Sequence, residues 1–148
     1  SLHTVIDTCG YASWDQIEPT LDYVDLILFD LKHLNSNVHT AWTGKSNRLI
    51  LENLSKLYSR NKPEIWIRIP IIPGFNDTKE NIIRLITVLC QINPTKVSLL
   101  PYHVWGSKKY TNLGLEYQLK EIEPLREDEV EWIRQELQAS AFNVTVGS

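Results

Sequence analysis

The stretch VDLILFDLKHL, residues 24 to 34, combines a strand-length apolar run with a charged end. Six of the residues from 24 to 31 are hydrophobic, an acid stands at Asp30 and a base stands at Lys32. A run of this length and composition predicts a buried β-strand. Leaving a buried charge without its partner costs roughly 3 to 5 kcal/mol, so this acid and this base need each other, an ion or a ligand.

Three further runs of this kind, separated by helical segments, predict the fold class. The four predicted strands are residues 3 to 7, 24 to 30, 64 to 72 and 96 to 103, and residues 142 to 146 are a candidate last strand. The predicted helices are residues 13 to 23, 46 to 60, 76 to 92 and 126 to 140, with Ser13 and Asp77 as N-terminal caps. Strands that alternate with helices pair in parallel and are buried on both faces. The sequence therefore predicts one α/β domain over residues 1 to 148, with about four parallel strands and flanking helices.

Polar side chains stand at all four predicted strand ends. They are Asp7 and Thr8, Asp30 and Lys32, Arg68 and Pro70, and Tyr102 and His103. Ligands of parallel α/β proteins bind beyond the carboxyl ends of the strands. The charged members predict either a ligand site or an internal ion-pair network that braces the strand ends, and spacing alone does not separate the two. His103 fits either a rim residue or a catalytic group.

Composition excludes several classes of function. The 148 residues are 43% hydrophobic and 22% charged, which is typical of one globular unit. The net charge of -3 gives no basic field, so neither nucleic acid nor a membrane is an expected partner. No run of 18 apolar residues and no secretion leader is visible, so we expect a cytoplasmic protein. Cys9 and Cys90 form no CxxC pair and are expected to be reduced thiols.

A series of motifs gives the sequence a family resemblance. The motifs are DTCGY (7 to 11), DLKHL (30 to 34), WIRIPIIPGFND (66 to 77), LLPYHVWGSKKY (99 to 110) and LGLEYQL (113 to 119). In this order they resemble the glycyl radical enzyme activating proteins of pyruvate formate-lyase activating enzyme type, in the radical S-adenosylmethionine (SAM) superfamily. The resemblance implies a partial (β/α)6 TIM-like barrel in which a [4Fe-4S] cluster binds SAM and cleaves it reductively. The resulting radical removes hydrogen from a glycine of a partner enzyme.

The resemblance also implies roles for single residues. The residues implied to bind SAM are Asp30, Leu31, Lys32, Arg68 and His103. Those implied to hold a monovalent cation beside SAM are Asp7, Thr8 and Asp30. No residue of this segment is implied to be catalytic. SAM carries a carboxylate that suits a lysine, and an ammonium and a sulfonium that suit carboxylates, so the charged strand ends match its chemistry.

The chain departs from the family pattern in its cysteines. The family's CxxxCxxC cluster loop is absent, and Cys9 and Cys90 cannot replace it. We therefore expect the carboxyl-terminal portion of an activating enzyme, with the first strands missing and no activity of its own. The implied partners are a glycyl radical enzyme of pyruvate formate-lyase type and a flavodoxin or ferredoxin as electron donor. The open edge of the first strand also predicts an edge-strand homodimer of the fragment.

Two other functions fit the same residues. A self-contained small βα lyase or aldolase would use Lys32 as a Schiff-base amine, with Asp30 and His103 as acid and base. A non-catalytic binding module would present residues 105 to 114 to a protein partner through Lys108 and Lys109.

Overall fold

The structure, a computed structural model, contains one five-stranded parallel sheet. It describes residues 2–60, 62–103, 110, 112–114, 116, 119 and 121–147. The strands are β1 (Val5–Thr8), β2 (Leu26–Asp30), β3 (Glu64–Ile71), β4 (Lys96–Pro101) and β5 (Val144–Val146). They lie side by side in chain order, and every neighbouring pair is parallel. The four predicted strands and the candidate last strand are therefore confirmed.

Helical segments connect the strands, as parallel pairing requires. The α-helices are α1 (Trp14–Ile17), α2 (Ser36–Thr43), α3 (Arg48–Tyr58), α4 (Lys79–Ile92) and α5 (Glu127–Ala139), and a 3-10 helix spans Glu18–Tyr23. Within the described ranges, none of these helices has the length and hydropathy needed to cross a bilayer.

Several details of the predicted helices were wrong. The segment from 13 to 23 divides into α1 and the 3-10 helix, whose first turn contains Pro19, and the Ser13 side chain makes no capping hydrogen bond. Helix α4 is capped by Thr78, whose hydroxyl accepts the Asn81 N–H. The Asp77 carboxylate instead accepts the N–H of Gly74 in the preceding turn. Helix α2 was not predicted.

In the part of the chain that the structure describes, the helices cover one face of the sheet and most side chains of the other face are only half-buried, so the expectation that both faces are fully buried was wrong. Alternate residues such as Phe29, Ile67 and Leu99 are fully buried in the core. Their neighbours Asp30, Arg68 and Pro70 point to the other face and are half-buried. Burying a large apolar side chain contributes about 1.5 to 3 kcal/mol, so the helix-covered face holds most of the fold's stability. The other face is free to carry polar groups.

The register of the sheet brings polar residues together on this open face. Asp30 lies beside Arg68, and Arg68 lies beside Ser98 on β4. Asp7 lies on β1 beside Leu28, two residues before Asp30. Asp30 is the last residue of β2 and Arg68 lies in the carboxyl half of β3, so the charged residues gather toward the carboxyl ends of the strands.

Candidate functional site

The centre of the open face is a cluster of two carboxylates around one guanidinium, which we call the Arg68 triad (Asp7, Asp30 and Arg68). Arg68 Nε donates to Asp30 Oδ1 at 2.8 Å, and Arg68 Nη2 lies 2.7 Å from the same oxygen. Arg68 Nη2 also donates to Asp7 Oδ1. The side chains of Arg68 and Asp30 are 18% and 21% exposed, whereas that of Asp7 is 61% exposed. The triad therefore has a shielded pair and one solvent-facing member.

The triad is positioned by strand backbone. Arg68 lies within β3 between Ile67 and Ile69, which are 0% and 1% exposed on the core side. Since those neighbours are locked in the core, the period of two fixes the direction of the Arg68 side chain. Asp30 is the last residue of β2 and pairs with Arg68 across the ladder.

Asp7 and Asp30 stabilise the positive charge of Arg68. Burial alone would lower the pKa of Arg68, but its hydrogen bonds to Asp7 and Asp30 raise the pKa above the ordinary value. Two carboxylates against one guanidinium leave the triad with one excess negative charge. Such a cluster favours a further cationic group at its solvent side.

Lys32 does not join this network, although the sequence placed it with Asp7, Asp30 and Arg68. Strand β2 ends at Asp30, and Lys32 follows in the next loop. Among the described residues no acidic side chain pairs with its ammonium. Lys32 is half-buried, and its side chain does not brace the triad.

The side chains of Leu31 and Thr8 have structural roles, which limits what they can offer a ligand. The Leu31 side chain is 2% exposed in the core, and its N–H donates to the Arg68 carbonyl at 2.9 Å, so only its backbone carbonyl could meet a ligand. The Thr8 hydroxyl accepts the N–H of Gly10 at 3.0 Å, and this bond shapes the turn after β1. Gly10 has φ of +69°, which favours glycine at that turn.

His103 lies in different surroundings from the triad. It is exposed and lies two residues beyond the end of β4. With residues of α5 and β5, including Glu131 and Arg134, it lines a cavity of about 670 Å³. No member of the Arg68 triad is among the residues that line this cavity. The structure therefore brings Asp7, Asp30 and Arg68 together. Lys32 lies in the loop after β2, and His103 lies beyond the end of β4.

Buried asparagines that the sequence did not single out hold the loops around the site. Asn53 of α3 donates to the carbonyls of Gly10 and Ala12, each at 2.8 Å. Asn47 donates to the carbonyls of His33 and Leu34 at 2.8 and 3.0 Å. A usable signal was present for Asn53, because it stands on the apolar face of a predicted helix.

The described residues include no group of three or more His, Cys, Asp or Glu side chains arranged to hold a metal ion. Cys9 and Cys90 are both free thiols. The loop from 105 to 114, which the binding-module hypothesis needs, lies largely outside the described residues, and so do Lys108 and Lys109.

A sequentially ordered parallel sheet with charged residues at the carboxyl ends of its strands defines the class: an α/β protein built as part of a TIM-like (β/α) barrel. No family model matches the sequence. The chain is 43% identical to an isethionate sulfite-lyase activating enzyme of Oleidesulfovibrio alaskensis, over 82% of this chain and 39% of that protein. It is 40% identical to a trans-4-hydroxy-L-proline dehydratase activating enzyme of Clostridioides difficile, over 99% of this chain and 49% of that protein.

A solved structure agrees with these relatives. A crystallised domain of a pyruvate-formate lyase-activating enzyme from Bacteroides vulgatus matches with a TM-score of 0.81 and 26% identity, over 99% of this chain and 82% of that one. The homologues of this chain are activating enzymes of glycyl radical enzymes, and the recognition from its motifs is confirmed. It spans less than half the length of the two relatives named above.

Proposed function

We propose that this chain is the carboxyl-terminal, SAM-binding part of a radical SAM activating enzyme that generates a glycyl radical on a partner enzyme. The names of the relatives, which are activating enzymes, support this proposal. The observation that carries it is the Arg68 triad, with its excess negative charge, followed two residues after Asp30 by Lys32, whose ammonium pairs with no acidic side chain of the described residues.

The charges of these residues fit SAM. SAM carries a sulfonium and an ammonium, and the carboxylates of Asp7 and Asp30 suit both groups. Its carboxylate suits the three N–H donors of Lys32. Arg68 would hold the two aspartates together, so that the triad presents one excess negative charge to the ligand. Reductive cleavage of SAM would supply the hydrogen-abstracting radical.

Leu31 and His103 take limited parts in this proposal. Leu31 would act through its carbonyl group, because its side chain is buried. His103 would meet the nucleoside from the end of β4, which lies beside β3 in the sheet. A monovalent cation is proposed at Asp7, Thr8 and Asp30, where the triad's negative charge and the remaining lone pair of the Thr8 hydroxyl are available.

The [4Fe-4S] cluster does not fit this chain. Such clusters are held by cysteine thiolates, usually four. The sequence contains only Cys9, in the turn after β1, and Cys90, on α4. We therefore propose that residues outside these 148 hold the cluster.

The proposed partner is a glycyl radical enzyme. Pyruvate formate-lyase type is supported by the crystallised domain, but the two relatives named above activate other enzymes by name. A flavodoxin or ferredoxin is proposed as the electron donor, and the free thiols Cys9 and Cys90 support a cytoplasmic location. The edge of β1, which pairs only with β2 in the described sheet, is proposed to allow an edge-strand homodimer.

The lyase or aldolase hypothesis is not favoured by the relatives or by the geometry. Its acid, Asp30, is engaged by Arg68, while its amine, Lys32, lies outside that pair. The relatives carry no lyase or aldolase name of their own; each is named as an activator of another enzyme.

Calorimetric titration of the chain with SAM tests the proposal. Lys32→Ala should weaken SAM affinity at least about tenfold, or about 1.4 kcal/mol, since it removes a charge-assisted contact to the ligand carboxylate. Its unfolding midpoint should stay unchanged, because no described acidic side chain pairs with the ammonium. Lys79→Ala, an exposed lysine at the start of α4, is the matched control and should bind normally. No SAM binding by the wild type at millimolar ligand, or equal affinities for the two variants, would refute the proposal.

A further inference from the structure

The hydrogen-bond ladder between β2 and β3 is interrupted just beyond the Arg68 triad. The Leu31 N–H donates to the Arg68 carbonyl at 2.9 Å, which continues the ladder one residue past Asp30. The next donor on β3 would be residue 70, and this residue is a proline without an N–H. Residue 70 would have donated to the Leu31 carbonyl, so the regular pairing of β2 with β3 ends before Lys32.

The side-chain amide of Asn76 occupies this break. Its Nδ2 donates to the Lys32 carbonyl at 2.7 Å and to the Pro70 carbonyl at 2.6 Å. Its Oδ1 accepts the Ile72 N–H at 2.8 Å. One side chain thus bonds the Pro70 carbonyl and the Ile72 N–H, which a continued ladder would have paired with residue 33. Through the Lys32 carbonyl it also joins the loop after β2 to the end of β3.

Asn76 is itself held from several sides. It is 0% exposed, its N–H donates to the Ile72 carbonyl at 3.3 Å, and its carbonyl accepts from Asn81 Nδ2 at 2.9 Å. Asn81 belongs to α4, so the amide is tied to both the sheet and the helix that follows it. A buried amide with every polar group bonded has little freedom to shift.

We propose that Asn76 is a positioning residue for Lys32: it fixes the Lys32 backbone so that the lysine ammonium reaches the ligand carboxylate beside the Arg68 triad. This inference rests on the proposed SAM-binding function. Lys32 needs such support because its long side chain has no acidic partner among the described residues. With the backbone free as well, more rotational freedom would be lost on binding.

If Asn76 only stabilised the fold, its substitution would act on SAM affinity in the same way with and without Lys32. Asn53 serves as the matched control. Asn53 is also 0% exposed and also donates to two loop carbonyls, but those belong to Gly10 and Ala12 after β1. Asn53→Ala and Asn76→Ala should both lower the unfolding midpoint. Only Asn76→Ala should act on SAM affinity through Lys32.

The test is a double-mutant cycle on SAM affinity. Asn76→Ala should weaken SAM binding about tenfold, but only about twofold or less in the Lys32→Ala background, because its effect passes through the lysine. Asn53→Ala should have the same effect with and without Lys32. If Asn76→Ala fails to unfold cooperatively, the cycle is measured with Asn76→Ser, which keeps a hydroxyl donor at the same site.

The outcomes are distinct. Equal effects of the Asn76 substitution in both backgrounds would overturn the positioning role while leaving the proposed function intact. Absence of SAM binding by the wild type would overturn the proposed function and this inference with it. Amide hydrogen exchange gives a ligand-free check, because the Ile72 amide should exchange faster in the Asn76 variants and at the wild-type rate in Asn53→Ala.

Discussion

Replacing Arg68 by methionine separates two roles of the Arg68 triad, bracing of the strands and presentation of charge to a ligand. Methionine keeps much of the length and apolar stem of arginine but removes the guanidinium. Asp30 then loses both of its contacts with Arg68, and Asp7 loses one. Each aspartate must either take up water or remain desolvated.

The exposure of each aspartate sets the magnitude. Asp7 is 61% exposed and rehydrates readily, so its ion pair adds little to stability. Asp30 is 21% exposed and stays largely shielded. Breaking a fully buried pair costs about 3 to 5 kcal/mol, and partial exposure lowers the expected loss for Arg68→Met to about 2 to 3 kcal/mol. For a domain of this size that corresponds to a fall in melting temperature of about 5 to 10 °C.

Urea denaturation followed by circular dichroism measures this loss. Asp30→Asn removes the carboxylate charge that Arg68→Met leaves without a partner. The double variant should therefore lose about 1 to 2 kcal/mol less free energy of unfolding than the sum of the two single losses. Arg134→Met is the control, because Arg134 of α5 also makes a doubly bonded ion pair, with Glu131, but these two side chains are more exposed than Arg68 and Asp30, at 35% and 40%. Its unfolding midpoint should barely change. An Arg68→Met variant as stable as the control would refute bracing by the triad.

Two further changes test the loops beside the site. Gly10→Ala should destabilise by about 3 kcal/mol, because a Cβ there would lie 2.6 Å from the buried ring of Phe29. Gly44→Ala, with a similar φ of +74° and open space, should lose only about 1 kcal/mol in the same thermal melts, and equal losses would contradict the steric reason. Burial lowers the pKa of His33 below its ordinary 6.5, and its Nδ1 accepts the Asn35 N–H, so the unfolded chain takes up the proton first on acidification. Stability should therefore fall as the pH drops through about 6.5. The urea midpoints at about pH 7.5 and 5.5 should differ more in the wild type than in His33→Asn. Equal differences in the two proteins would contradict this role of His33.

Local patterns explain which elements could be predicted. The apolar runs predicted β1 to β4, and the helical spacing of apolar residues predicted α3, α4 and α5. Burial of an element produces an apolar pattern among residues that are close along the chain, so these elements could be predicted. Helix α2 escaped prediction because its eight residues bury only His39, so it has almost no apolar face. Thr78 displaced Asp77 as the cap of α4 because the Asp77 carboxylate was taken by the turn at Gly74.

The sequence predicted that charged side chains gather at the strand ends, but not which of them pair. The strand ends identified Asp7, Asp30, Lys32 and Arg68, and three of these four meet in the structure. The separation of Lys32 from the others follows from the end of β2 at Asp30. The role of Asn76 was invisible because nothing in its neighbours along the chain reports the ladder break at Pro70 that it fills.

The amino-acid sequence alone determined that strands alternate with helices, that charged residues stand at the strand ends, and that two cysteines cannot hold an iron-sulfur cluster. These properties depend on residue type and on spacing of a few positions. The tertiary structure decided that Arg68 pairs with Asp7 and Asp30, and that Lys32 pairs with no acidic side chain of the described residues. Arg68 is 38 positions from Asp30 and 61 from Asp7, and only the register of three packed strands brings their side chains within hydrogen-bonding distance.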